Sequence, residues 1–148
     1  MKKKAIKISI IMIVIVLALL VIYIFTIKNY SFLINLSWNL SWKTSLPYCD
    51  NRIYHEDNLG FHGDGREYSI LQFSNDKKLK KFNWGAITDQ TDIERMNDIL
   101  LELKIPNKYK PDFYKEWLYI KISRRDNSTL YLLYDEANQR VFLLSDSR

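Results

Sequence analysis

From Ile8 to Ile27 the chain runs "SIIMIVIVLALLVIYIFTI" after its opening isoleucine, with no charged side chain and only Ser9, Tyr23 and Thr26 as polar interruptions. Twenty such residues make about 30 Å of helix at 1.5 Å per residue, the thickness of a bilayer core. The sequence therefore predicts a membrane span over residues 8–27. Lys2, Lys3, Lys4 and Lys7 precede it and Lys28 follows it, and the positive-inside bias puts the N-terminus in the cytoplasm and the remainder outside. A cleaved signal peptide would have a shorter apolar core ending in a small-x-small site. Tyr23, Ile24 and Phe25 stand where small residues would be needed, so the expectation is an uncleaved anchor over residues 1–28.

The net charge of +5 does not signal nucleic acid. Five of the 22 Lys and Arg stand in the first 28 residues, which hold no acid, so the rest of the chain balances 17 basic against 17 acidic side chains. A phosphate-binding surface needs a local excess that this remainder lacks, and a nucleic-acid partner is not expected. Cys49 is the only cysteine, which excludes an internal disulfide and a multi-cysteine metal site. It lies too far beyond the apolar run to be a lipoprotein cysteine and is expected to be an unreactive thiol.

The next segment repeats N-L-S-W at 35–38 and 39–42. A period of four is compatible with a strand, which would align Leu36, Trp38, Leu40 and Trp42 on one face, and with a helix, which would stack Trp38 over Trp42. Tryptophan favours the membrane boundary, so residues 29–46 are expected to form an interfacial aromatic stalk. Asn35 and Asn39 also begin N-x-S sequons, which matter only in a eukaryotic secretory path.

A folded unit is predicted over residues 47–148. Residues 66–73 alternate as a strand, with a partner at 51–56. Ser74 can cap a short turn in which Lys77, Lys78, Lys80 and Lys81 surround one buried residue, Leu79. "TDIE" at 91–94 has capping-box spacing, and Ile93, Met96, Leu100 and Leu103 fall on one helical face until Pro106 ends it. Three further strands, 116–123, 129–135 and 140–145, are joined by short polar spacers that suit hairpins rather than crossovers. The expected fold is an α+β domain with a four- or five-stranded antiparallel sheet and one main covering helix.

Chemistry-bearing residues crowd into "YHEDNLGFHGDGREY", residues 54–68. His55, Glu56, Asp57, His62, Asp64 and Glu67 have the ligand types of a divalent metal such as zinc. Their spacing fits neither an H-x-x-x-H helix nor an EF-hand, and no phosphate loop or dinucleotide fingerprint is present. The other reading is a turn in which Gly60, Gly63 and Gly65 supply positive φ and Asp64-Gly65 forms the tight bend into the following strand. No serine or cysteine sits in an elbow-like context for nucleophilic catalysis.

Together, "GFHGDG" at 60–65 and the ending "LYLLYDEANQRVFLLSDSR" resemble a group of small, uncharacterised, membrane-anchored or exported proteins of Gram-positive, clostridial-type bacteria. That group carries a D-T-H-G-G-F-H-G-D-G segment, a tryptophan after a short helix and a terminal Y-D hairpin. Phe61, His62, Gly63, Asp64 and Gly65 match, Trp84 stands near the expected tryptophan, and Tyr134-Asp135 and Asp146 suit the ending. Aligned on Phe61, the first histidine of the pattern falls on Asn58, so a two-histidine site built on it would lack a ligand. The resemblance carries no assigned activity.

These observations favour a non-enzymatic, single-pass membrane protein whose domain outside the cytoplasm binds an envelope protein. The alternative is a metal-binding or metal-dependent hydrolytic protein using His62 and Asp64. A third reading, an immunity-type membrane protein, fits the size and the anchor.

Overall fold

The computed structural model describes the backbone of residues 2–148 and the side chains of residues 12–22 and 30–148. Helix α1 (Lys2–Trp42) is followed by strands β1 (Asn51–Asp57) and β2 (Gly65–Gln72), helix α2 (Gln90–Glu102), and strands β3 (Leu118–Ser123), β4 (Thr129–Asp135) and β5 (Arg140–Ser147). The five strands form one antiparallel sheet in the order β1-β2-β5-β4-β3. The closing three strands make the expected meander, and the β1–β2 hairpin adds to the β5 edge. The fold is α+β.

Both faces of this sheet are covered, one more than the sequence reading allowed. Along β2, Tyr68 and Ile70 point to one side and join Met96, Ile99 and Leu100 of α2 in a buried cluster. Leu71 and Phe73 point to the other side and join Ile34, Trp38 and Trp42 of α1. Strand β4 serves both, with Leu130, Leu132 and Tyr134 toward α1 and Tyr131 and Leu133 toward α2. A strand buried on both faces reads as a continuous apolar run, as "LYLLY" does.

The stalk expected over residues 29–46 is thereby corrected. Ile34, Trp38 and Trp42 recur every four residues, so they share one face of a helix, and that face is buried against the sheet. The asparagines of the repeat lie beside it and hold the returning chain. Asn35 donates to the carbonyl of Pro47 and accepts from the Cys49 amide at 2.9 Å. Asn39 donates to the Leu46 carbonyl at 3.0 Å and accepts from the Leu46 amide at 2.9 Å. The repeat thus has a structural meaning: each tryptophan fills the core, and each asparagine satisfies backbone groups of residues 46–49 that would otherwise be buried without partners. Lys43 ends the helix in a left-handed conformation (φ 52). Arg124 then covers the outer ring of Trp42, 4.0 Å from its centroid.

Helix α2 begins one residue before the predicted box. Its cap is Asp89, whose carboxylate accepts the Thr91 amide at 2.9 Å, rather than the Thr91/Glu94 pair. Leu79 is buried as expected, in a short 3-10 turn, Leu79–Lys81. Lys80 is not merely solvated, since it pairs with Asp76 at 3.0 Å and Glu136 at 3.1 Å.

Side chains 12–22 of α1 are exposed around the whole helix. Among the described residues no helix is long and apolar enough to cross a membrane. The ends of the expected span, residues 8–11 and 23–27, have side chains outside the described residues.

Candidate functional site

Strand alternation divides the histidine-rich lead-in before any chemistry can begin. His55 and Asp57 point to the α1 side of the sheet, while Glu56 points to the other side with Tyr54. Directly across the ladder from His55 is Ser69, and across from Asp57 is Glu67. His55 Nε2 lies 2.8 Å from Asp57 Oδ2, and Nδ1 lies 2.9 Å from Ser69 Oγ. The Asp57 carboxylate can only accept, so Nε2 donates to it, and Nδ1 shares a hydrogen bond with the serine hydroxyl. Glu67 Oε1 is 3.7 Å from Nδ1, beyond hydrogen-bond reach. Burial, reinforced by the Asp57 carboxylate, raises Glu67 to about 7, with Arg52 opposing.

A serine, a histidine and a carboxylate in one chain of hydrogen bonds invite comparison with a nucleophile–base–acid triad. Ser69 is fully buried. No substrate carbonyl can reach its Oγ, and the arrangement instead satisfies a buried hydroxyl. Among the described residues no group of three or more His, Cys, Asp or Glu side chains is placed to hold a metal ion.

The second half of the motif forms the tip of the β1–β2 hairpin. The bend is longer than a two-residue Asp64-Gly65 turn: the Gly60 amide donates to the Asp64 carbonyl at 2.6 Å, and the Gly63 amide to the Gly60 carbonyl at 2.9 Å. Gly63 adopts φ 77, and Gly65, already the first residue of β2, adopts φ 131. A Cβ at Gly65 would stand 2.8 Å from the Asn58 carbonyl oxygen, so the glycine is required there for space as well as for angle. A Cβ at Gly60 would meet the Asp64 carboxylate at 2.7 Å. Asp64 is therefore folded back into its own turn, while His62 is exposed at the tip with its ring edge-on to Phe61.

Asn58, at the position where the resembled pattern has histidine, is the clamp of this hairpin. Its side chain accepts from the Arg66 amide at 2.7 Å and donates to Glu102 at 2.8 Å, and Arg66 pairs with Glu102 at 2.9 Å. The hairpin is thus tied to the end of α2. Of the six candidate ligands, His55 meets Asp57 and lies near Glu67, and the others stand apart from them.

A concavity lies elsewhere. A groove of about 1180 Å³ runs between residues 84–87, residues 113–118 and the turn 134–138, with Ile93 of α2 at its base. Its wall is fixed by an isolated bridge in which Gly85 and Tyr119 exchange both backbone hydrogen bonds at 2.8 Å. Trp84 stacks on Tyr134 at 5.3 Å, and its indole donates to the Leu79 carbonyl at 2.8 Å. Trp117 is anchored likewise to the Asp112 carbonyl at 2.9 Å. Lys115, Glu116, Asp135 and Glu136 stand around the opening. Two pinned tryptophans, a buried tyrosine and a mixed-charge rim line this groove. Sequence reasoning missed it because its walls are loops with no periodicity. The available signal was Trp84, which stands outside every predicted element; Trp117 was assigned to the strand at 116–123, which in the structure begins only at Leu118.

No protein-family model, no curated protein and no solved structure matches the chain.

Proposed function

We propose that this is a single-pass membrane protein, N-terminus in the cytoplasm, whose α+β domain works outside it as a non-enzymatic binding module for an envelope protein. The observation that carries the reading is α1. Its residues 12–22 expose apolar side chains in every direction, and its last three turns are built into the core of the sheet. A helix apolar all round is compatible with water only if something else surrounds it, and lipid is the surrounding that its sequence fits. The groove supports the binding part of the reading, because it is lined by rigid aromatics and holds no arrangement of acid, base and nucleophile.

Two measurements test this. The full-length chain should resist alkaline extraction from bacterial membranes, and a pair of arginines replacing Leu17 and Leu20 should release it. A photocrosslinking residue at Leu118, on the groove, should form a discrete adduct with a membrane or cell-wall protein, and the adduct should disappear in Trp84→Ala. Extraction into the soluble fraction would refute the anchor. Adducts that survive Trp84→Ala, or equal adducts from Phe61 on the hairpin tip, would refute the groove.

A further inference from the structure

Beside the end of the expected span, two stretches of chain bring aromatic rings, and a third an arginine, to one level along α1. Tyr30, Phe32 and Leu33 come from α1, Tyr48 from the returning segment and Arg52 from the start of β1. All but Arg52 are exposed, Tyr48 at 65% and Tyr30 at 48%. Such a patch of large apolar side chains needs an explanation in a folded domain. It is also built rather than incidental. Phe32 and Tyr48 pack with ring centroids 5.6 Å apart. Arg52 bonds the Tyr30 hydroxyl and lies 5.2 Å from its ring. The segment carrying Tyr48 is held by Asn35, which bonds both Pro47 and Cys49, and by Ser31, which donates to the Asp50 carbonyl at 2.9 Å. The acid nearest the patch, Asp50, is occupied by the Ser74 amide.

We infer that Tyr30, Phe32, Leu33, Tyr48 and Arg52 form a seat on the phospholipid headgroup layer, which fixes the orientation of the domain on the bilayer. The inference rests on the anchor proposed above. The occupant follows from distance along the chain: Tyr30 is three residues beyond Ile27, about 4.5 Å of helix, and Leu33 six residues, about 9 Å. That depth is the headgroup region, where amphipathic rings and a cation beside phosphate are favoured. Tyr48 is the informative member. The anchor alone would place Tyr30 and Phe32 near the surface, whereas Tyr48, far along the chain, reaches it only through the fold. Because α1 passes from the expected span into the core without a break, the seat and the domain move as one body.

Single-cysteine variants of the full chain in phosphatidylglycerol-containing nanodiscs, labelled with an environment-sensitive fluorophore, test the seat. Cys49 need not be removed, since it is buried and its burial raises the thiol pKa, which keeps it from reacting. Labels at Val16, Phe32, Tyr48 and Leu40 are read against lipids carrying a quencher at the headgroup or deep in the acyl chain. The label at Val16 should be quenched by the deep lipid. Those at Phe32 and Tyr48 should lose at least half their emission to the headgroup quencher, and that at Leu40, about 12 Å further along the helix than Phe32, little. Quenching at Val16 with none at Tyr48 would overturn the seat and leave the anchor standing. No quenching at Val16 would overturn the anchor, and the seat with it.

Discussion

On the α2 face of the sheet the Tyr119 hydroxyl donates to Asp92 at 2.8 Å, and Lys121 reaches the same carboxylate at 2.6 Å. On the α1 face the Tyr134 hydroxyl donates to Asp76 at 2.7 Å, and Lys80 lies 3.0 Å away. The two faces thus carry the same device, a carboxylate drawn into the packing and satisfied by one tyrosine and one lysine. They differ in what surrounds it. Asp92 sits in the first turn of α2 against the edge strand β3, which supplies its lysine across the interface. Asp76 sits in a loop, and its lysine lies four residues along the same segment, half exposed and shared with Glu136. The first draws both its tyrosine and its lysine from β3, while the second takes its tyrosine from β4 but its lysine from its own loop. A pair that spans the interface should therefore matter more to stability than one that stays within a segment.

That comparison can be broken at its core before its charges are touched. Trp38→Ala should destabilise the domain by about 3–5 kcal/mol and Met96→Ala by about 2–5 kcal/mol, the usual cost of emptying a well-packed site. Denaturant unfolding of the solubilised full chain measures both. A change of less than about 0.5 kcal/mol for Trp38→Ala, the usual size of a surface substitution, would mean that the α1 face is not packed as described. Next in size, Asp92→Asn should cost about 2 kcal/mol or more, because it leaves Lys121 beside the interface without its counter-charge.

Glu67 sharpens the same contrast through pH. Its folded value is raised to about 7, so the folded protein holds this proton more tightly than the unfolded chain does. The stability from this group is complete below the ordinary carboxyl range and is lost as pH rises through about 7. Glu67→Gln should match the parent at pH 4 and exceed it at pH 8 by on the order of 2 kcal/mol. Equal curves for the two proteins at both pH values would remove Glu67 from the account.

Asp76→Asn should have the smallest effect. The Tyr134 hydroxyl, and after it Lys80, holds the Asp76 carboxyl below its usual value. Its contribution is present above the ordinary carboxylate range and is lost as pH falls through the lowered folded value. The variant should accordingly unfold more easily than the parent at pH 7, and the difference should shrink as the pH is lowered below the ordinary carboxylate range. A loss at pH 7 larger than that of Asp92→Asn would reverse the ranking of the two faces.

The α2 face was legible in the sequence because one helix with apolar residues at steps of three and four, followed by three strands with short spacers, allows few arrangements. The α1 face was not. The N-L-S-W repeat gives the same residues to a core helix and to an interfacial one, and tryptophan after an apolar run weighs toward the membrane. What decides the matter is that Asn35 and Asn39 bond backbone groups of residues 46–49, a long-range fact with no local signature. The histidine cluster shows the reverse case. Counting ligand types overstated it, because His55 and Glu56 lie on opposite faces of one strand and Asp64 is turned into its own loop. Positive φ was readable at Gly63 and Gly65 but not at Gly60, which does not adopt it, and the placement of the bend was not readable, since Gly65 belongs to the strand and Asn58, rather than the Asp64-Gly65 pair, closes the hairpin.

The central claim is that α1 is one helix whose C-terminal turns are a structural layer of the domain rather than a stalk outside it. Amide hydrogen exchange of the full chain in nanodiscs tests this most directly, by comparing residues 34–42 with β4 and β5. The account predicts that amides at Ile34, Trp38 and Trp42 exchange as slowly as those of the central strands, and that all of them speed up together in Trp38→Ala. Exchange at 34–42 that is fast, or unaffected while β4 and β5 change, would contradict it.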